Sequence, residues 1–130
     1  DVATISRNII TIVGIGTTTI TANQAATVNF TAGSVTALFT VENGTPVLSG
    51  FSIPVKTTGS EPFAIVAPTS NSDGAFTYTS SDPEVATIEG STVTIVGVGS
   101  STITATQATT ANFASAMISA LTFVSGIYAK

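Results

Sequence analysis

The sequence contains no cysteine, no histidine and no tryptophan, and its only cations are Arg7, Lys56 and Lys130 in 130 residues. Without cysteine there is no disulfide, no thiol nucleophile and no thiolate metal site, although the compartment stays open. Without histidine the commonest general base and metal ligand is missing. Three scattered cations cannot form the footprint that phosphates require, which excludes nucleic acid as a partner. A polybasic membrane-surface patch is excluded for the same reason. No apolar run approaches the roughly 20 residues of a helical membrane span. A membrane barrel would want aromatic girdles, and only two tyrosines are present. No signal peptide opens the chain, but the start reads as internal to a repeat, so its absence carries little.

What fills the space is hydroxyl. Threonine and serine make up about three residues in ten, hydrophobic residues 43% and charged residues 8%, against about 25% charged in ordinary domains. The polar faces must therefore be hydroxyl faces. The net charge of −4 is sparse for a polypeptide of this length, so colloidal repulsion is weak. Such a surface is expected to pack against neighbours or to carry sugar.

Self-comparison reveals a tandem duplication. Residues 1–41 align with 84–124 without a gap, at about half identity. The shared skeleton is V-A-T-I at 2–5 and 85–88, T-I-V-G-x-G at 11–16 and 94–99, and T-I-T-A at 19–22 and 102–105. Gln24 and Gln107, Asn29-Phe30 and Asn112-Phe113, Ala37-Leu38 and Ala120-Leu121, and Val41 and Val124 continue it. The expected organisation is the C-terminal half of one repeat over 1–41, a complete repeat over 42–124, and a tail over 125–130. The first copy lacks the run-up that precedes the second. The expectation is that further residues lie upstream of Asp1, or that a neighbouring chain supplies the missing strands, because half a sandwich exposes its core face and strand edges.

The periodicity is that of strands. Thr92-Val93-Thr94-Ile95 and Thr102-Ile103-Thr104-Ala105-Thr106 alternate hydroxyl with apolar, which suits an antiparallel sheet packed on one face and wet on the other. Turn signals fall at Asn43-Gly44, Gly50, Thr58-Gly59, Asp73-Gly74, Asp82-Pro83, Glu89-Gly90 and Gly97 to Gly99. The expected strands are 51–56, 62–67, 75–80, 84–89, 91–97, 100–106 and 116–124, which point to a β-sandwich. Residues 107–114 read as a helical turn or a loop that tucks Phe113 under the sandwich. In the first repeat Val35, Ala37, Phe39 and Val41 form the apolar face of the last strand. In the second the aromatic shifts to Phe123, and the two faces read as mixed.

The stretch "YTSSDPEVATIEGSTVTIVGVGSSTITAT" resembles the bacterial Ig-like domain, group 2. Tyr78, Ser80, Ser81, Asp82, Val85, Ala86, Thr87, Gly90, Val93, Gly99, Thr102, Ile103, Thr104 and Ala105 carry the likeness. Members often have tryptophan where Tyr78 stands. The upstream "FSIPVKTTGSEPFAIVAPTSNSDGAFTYTSSDP" is similar to a variant found in tandem arrays in large bacterial surface proteins and in giant viruses. The resemblance implies an Ig-like antiparallel β-sandwich with Val85, Ile88, Val93, Ile95 and Ile103 in its core. It implies little about function, because such repeats serve as stalks, spacers, adhesins and capsid decorations alike.

No catalytic constellation is present. The lysines are isolated and no G-x-S-x-G elbow occurs. The glycine pairs in "GIGTTT" and "GVGSST" lack a phosphate-binding lysine and read as turns between strands. Asp73, Asp82, Glu84 and Glu89 cluster loosely, and Asn71 with Asp73 beside Gly74 resembles part of a calcium loop, but a polar turn is the better reading. Sequons occur at Asn29 and Asn43. The first is incidental by its repeat partner, and the second reads as a turn. Threonine rows of the "TTTITA" kind can bind ice, yet half-exposed threonine strands are ordinary in sandwiches. No catalytic, cofactor-binding or metal-binding residue is therefore expected.

The reading is an all-β chain, not an enzyme, without cofactors. It is a structural module of a larger surface, fibre or virion-associated protein, extracellular or on a cell or virion surface, acting as spacer or assembly element. Its expected partners are copies of itself or other structural subunits of a shell, fibre or surface layer. The alternative is an adhesin that recognises a glycan or host protein through loops 57–61 and 69–74.

Overall fold

The computed structural model describes residues 1–126; of the expected tail, residues 127–130 lie outside the described residues. The described residues are all β, and two compact units form, Asp1–Gly44 and Thr45–Lys130.

Unit 1 consists of two hairpins. β1 (Ala3–Ser6) pairs antiparallel with β2 (Ile9–Ile12), and β3 (Gly16–Gln24) with β4 (Gly33–Val41). No residue of this unit is buried.

Unit 2 contains β5 (Leu48–Ser49), β6 (Lys56–Thr57), β7 (Phe63–Ala64), β8 (Thr69–Ser70), β9 (Phe76–Ser80), β10 (Ala86–Glu89), β11 (Thr92–Ile95), β12 (Gly99–Gln107) and β13 (Ala116–Ser125). One sheet runs β10-β11-β7, a second β6-β13-β12-β9, and β5 pairs with β8. All pairings are antiparallel except that of β13 with β6, which is parallel. The core lies between the two larger sheets. Ile53, Ile65, Val85, Ala86, Val93, Ile103 and Val124 are buried, and Phe51, Phe63, Tyr78, Ile88, Ile95 and Ala120 pack against them. This is the Ig-like sandwich, and all five core residues named from sequence take part. Full burial of a side chain such as Val93 or Ile103 contributes about 1.5–3 kcal/mol.

The front of unit 2 departs from the expected strands. Of 51–56 only Lys56 is in a strand, and of 62–67 only Phe63 and Ala64, while the short β5 and β8 were not foreseen. Proline is the cause. Pro54 interrupts the first segment, and Pro62 and Pro68 bracket the second. A residue without a backbone N–H cannot donate to a ladder. Ile53 and Ile65 still reach the core, from backbone outside the ladders. Residues 108–115 contain no helix. They form a loop closed by Thr110 N–H to Phe113 O at 2.9 Å and by Phe113 N–H to Thr110 Oγ1 at 3.1 Å, which leaves Phe113 half-buried.

The two units repeat each other to the residue. Ala3↔Ile12 through Ser6↔Ile9 matches Ala86↔Ile95 through Glu89↔Thr92. Gly16↔Val41 through Gln24↔Gly33 matches Gly99↔Val124 through Gln107↔Ala116. Shared sequence dictates this register locally. Gly16 and Gly99 sit at φ 130° and 143°, where a Cβ would press on Val2 and Val85 at 3.0 and 2.9 Å, so each hairpin needs glycine at its start.

Candidate functional surface

The expected polar turns prove to be internal fittings. Asp82 opens the turn before β10: its Oδ1 accepts Glu84 N–H at 3.0 Å and its carbonyl accepts Val85 and Ala86 N–H, each at 3.1 Å. This is the local capture that an aspartate before proline favours. Asn71 Oδ1 accepts Val47 N–H at 2.8 Å, which ties the β5–β8 pair together. Ser72 Oγ accepts Gly74 N–H at 3.2 Å. Loop 69–74 thus spends much of its polar capacity on the fold. In loop 57–61, Ser60 Oγ accepts Thr57 N–H at 3.3 Å. Among the described residues, no three carboxylate side chains come together. Lys56 Nζ lies 4.5 Å from the centre of the Phe63 ring, a cation–π contact.

Two buried polar groups organise unit 2. Gln107, 1% exposed, donates through Nε2 to Ser72 O at 3.0 Å and to Gly74 O at 2.8 Å, while its Oε1 accepts from Ser70 Oγ at 2.6 Å. The amide is fully used, as a buried amide must be. Ser101 accepts Asp82 N–H at 3.1 Å and lies 2.7 Å from Ser80 Oγ. Sequence reasoning missed both. Gln107 was noted only as a repeated position, although a lone glutamine shared by two copies at the end of a hydroxyl strand was the available signal. Burial raises the Tyr78 hydroxyl above the ordinary tyrosine range.

The surface available for contact is the outer face of the β6-β13-β12-β9 sheet. The register aligns Thr102 with Leu121, Thr104 with Ser119 and Thr79, and Thr106 with Met117 and Thr77. Thr104 Oγ1 and Ser119 Oγ are 2.9 Å apart. Met117, Leu121 and Phe123 are exposed on this face, so Phe123 belongs outside and Ile118, Ala120, Thr122 and Val124 face inward. That settles the two faces of β13. In unit 1 the matching outer face carries Thr17, Thr19 and Thr21 opposite Thr40, Leu38 and Thr36. The side chains named on either face carry no charge. Of the sequons, Asn29 is exposed and Asn43 half-buried.

No curated protein matches the chain, and no solved structure does. Residues 60–117 match the bacterial Ig-like domain family, group 2. That range contains the positions from Tyr78 to Ala105 that carry the likeness, while residues 51–59 of the upstream stretch lie outside it. The family is non-enzymatic, and its domains typically occur in surface or extracellular proteins. Among the described residues no helix is long and apolar enough to cross a membrane, which says nothing of a β-barrel. The two facing sheets and the Asp82-Pro83 turn of unit 2 agree with that match, which spans residues 60–117.

Proposed function

We propose that the chain is a structural Ig-like module of a larger surface, fibre or virion-associated protein, in which it acts as spacer or assembly element. The observation that supports this is the outer sheet face, where threonine, serine, methionine, leucine and phenylalanine stand exposed without a charged group. A face of this kind loses little solvation on contact, because short hydroxyls re-pair across an interface and long ionic side chains need not be desolvated. The same residue types, threonine and leucine, recur on the matching face of unit 1.

Sedimentation over a wide concentration range tests the reading, with Leu121→Lys as the variant. The expected result is concentration-dependent association that the substitution abolishes, together with no specific hit on a glycan array. A strictly monomeric chain that binds one glycan would favour the adhesin reading instead.

A further inference from the structure

We infer that the free edge of β9 is a pairing site for the β9 edge of a second copy of the chain, antiparallel about Tyr78, which joins two outer sheets into one.

The strand edges of unit 2 are not alike. β5, β6, β7 and β8 are two residues long, and Pro46, Pro54, Pro62 and Pro68 stand one or two residues before them. β6 also carries Lys56. β10 ends on Glu89 and follows Pro83-Glu84. The long β13 is flanked by β6 at Val124 and Ser125 and by the Pro54 carbonyl at Thr122. Short length, proline and charge are the devices that keep an edge from pairing. β9 has none of them: it runs for five residues, Phe76–Ser80, without proline or charge, and stands at the end of its sheet.

The ladder on its other side defines which backbone groups are free. Ala108 N–H donates to Ala75 O at 2.9 Å and Ser81 N–H to Thr102 O at 3.0 Å, just beyond the two ends of the β9–β12 pairing. Hydrogen-bonded pairs alternate along an antiparallel ladder. Thr77 and Thr79 therefore spend their N–H and C=O on β12, while Phe76, Tyr78 and Ser80 point theirs to the open side. The sequence Phe-Thr-Tyr-Thr-Ser reads nearly the same in both directions. Centred on Tyr78, a second copy sets its Ser80 against Phe76, its Tyr78 against Tyr78 and its Phe76 against Ser80. Each of these pairs exchanges two backbone bonds, so every open group of the edge is used. On the outer face Thr77 meets Thr79 of the second copy, a favourable cross-strand pair. The row formed by Thr79, Thr104 and Ser119 then continues across the joint.

The inner side has room for the second copy. Two clefts open between the sheets along this edge. One, of about 440 Å³, is lined by Phe76, Tyr78, Gly90 and Ser91, and the other, of about 370 Å³, by Tyr78, Ser80, Pro83, Ala86 and Ile88. They lie on either side of Tyr78, the spacing at which alternate side chains of an added strand enter. Phe76 of the second copy falls at the second cleft and its Ser80 at the first. The nearest charges along the chain, Asp73 and Asp82, stand outside the paired residues.

The inference goes beyond the structural-module reading and uses the β9 edge, not the outer face. Five residues of edge make a small interface, which gains strength where copies are tethered in an array. The pairing is therefore read residue by residue at high concentration. Amide hydrogen exchange on the full chain carrying Leu121→Lys tests it, because that change silences the outer face. From micromolar to millimolar chain, the Phe76, Tyr78 and Ser80 amides should slow about fivefold, while those of Thr77 and Thr79, already bonded to β12, should not change. Thr77→Lys with Thr79→Lys sets like charges opposite each other and should remove the slowing. Thr77→Lys with Thr79→Glu sets opposite charges there and should restore it. The assignment is overturned by absence of slowing at millimolar chain, by slowing that survives the lysine pair, or by failure of the lysine–glutamate pair to restore it. Slow exchange of these amides in dilute chain, independent of concentration, also overturns it, since another segment of the same chain then covers the edge. Association through Leu121 in the parent chain without slowing at β9 keeps the assembly reading and removes this inference. Slowing at β9 without association through Leu121 does the reverse.

Discussion

Ile20 and Ile103 are the same residue in the same register position of the same hairpin, yet Ile103 is 0% exposed and Ile20 is only half-buried. The hairpins around them differ little in sequence. The surroundings differ: unit 2 brings a proline-rich front segment across its hairpins, and unit 1 has none within it. A strand pattern can thus fix pairing without fixing burial. Pairing needs only the two strands and their turn, whereas burial needs a second layer.

The largest expected effect comes from truncating this pair. Ile103→Ala should destabilise unit 2 by about 2–5 kcal/mol, since the cavity sits in a closed core. Ile20→Ala should cost unit 1 less than about 1 kcal/mol. Denaturant unfolding followed by residue-resolved exchange separates the two, and equal costs would break the comparison. Gln107→Ala comes next, at about 1–3 kcal/mol, because it strands the Ser72 and Gly74 carbonyls. The same change at Gln24 should leave the stability of the chain alone unaltered in thermal melts.

A smaller effect has the opposite sign in the two units. Arg7 and Gly90 occupy the same left-handed turn position, at φ 58° and 62°. A Cβ at Gly90 meets nothing within 4 Å, so the cost of a side chain there is conformational alone. Gly90→Arg should destabilise its hairpin by about 1 kcal/mol, and Arg7→Gly should stabilise the β1–β2 hairpin by about 0.5–1 kcal/mol. Exchange rates at Ile5 and Ile10, and at Ile88 and Val93, report each hairpin.

The smallest effect is confined to unit 2 and to high pH. Burial raises the pKa of Tyr78 in the fold, so the folded state favours the neutral phenol. The stability tied to that preference is fully present below the unfolded tyrosine pKa, about 10, and is lost as pH rises through the higher folded value. Tyr78→Phe should flatten this alkaline loss in melts recorded between neutral and strongly alkaline pH.

The back half of the fold was legible in the sequence. Thr92–Ile95 and Thr102–Thr106 alternate cleanly and glycines precede the second, so local pattern and tertiary structure agree there, whereas the faces of Ala116–Ser125 read as mixed until the structure placed them. The front half was not. "FSIPVK" and "EPFAIVAP" read as apolar runs, but Pro54, Pro62 and Pro68 break the ladders, and these residues reach the core from irregular backbone. The "NSDG" stretch read better as a polar turn than as a calcium loop, and Asn71 and Ser72 do accept backbone N–H groups there.

By itself the sequence determined the all-β class, the duplication and the family likeness. Each rests on local alternation, glycine placement or direct self-similarity. Only the tertiary structure decided which threonines face outward, that Gln107 is a buried fastening, that Phe123 lies outside, and that two nearly identical hairpin pairs differ in burial. Those outcomes depend on what packs across a face, and a strand carries no record of its covering layer.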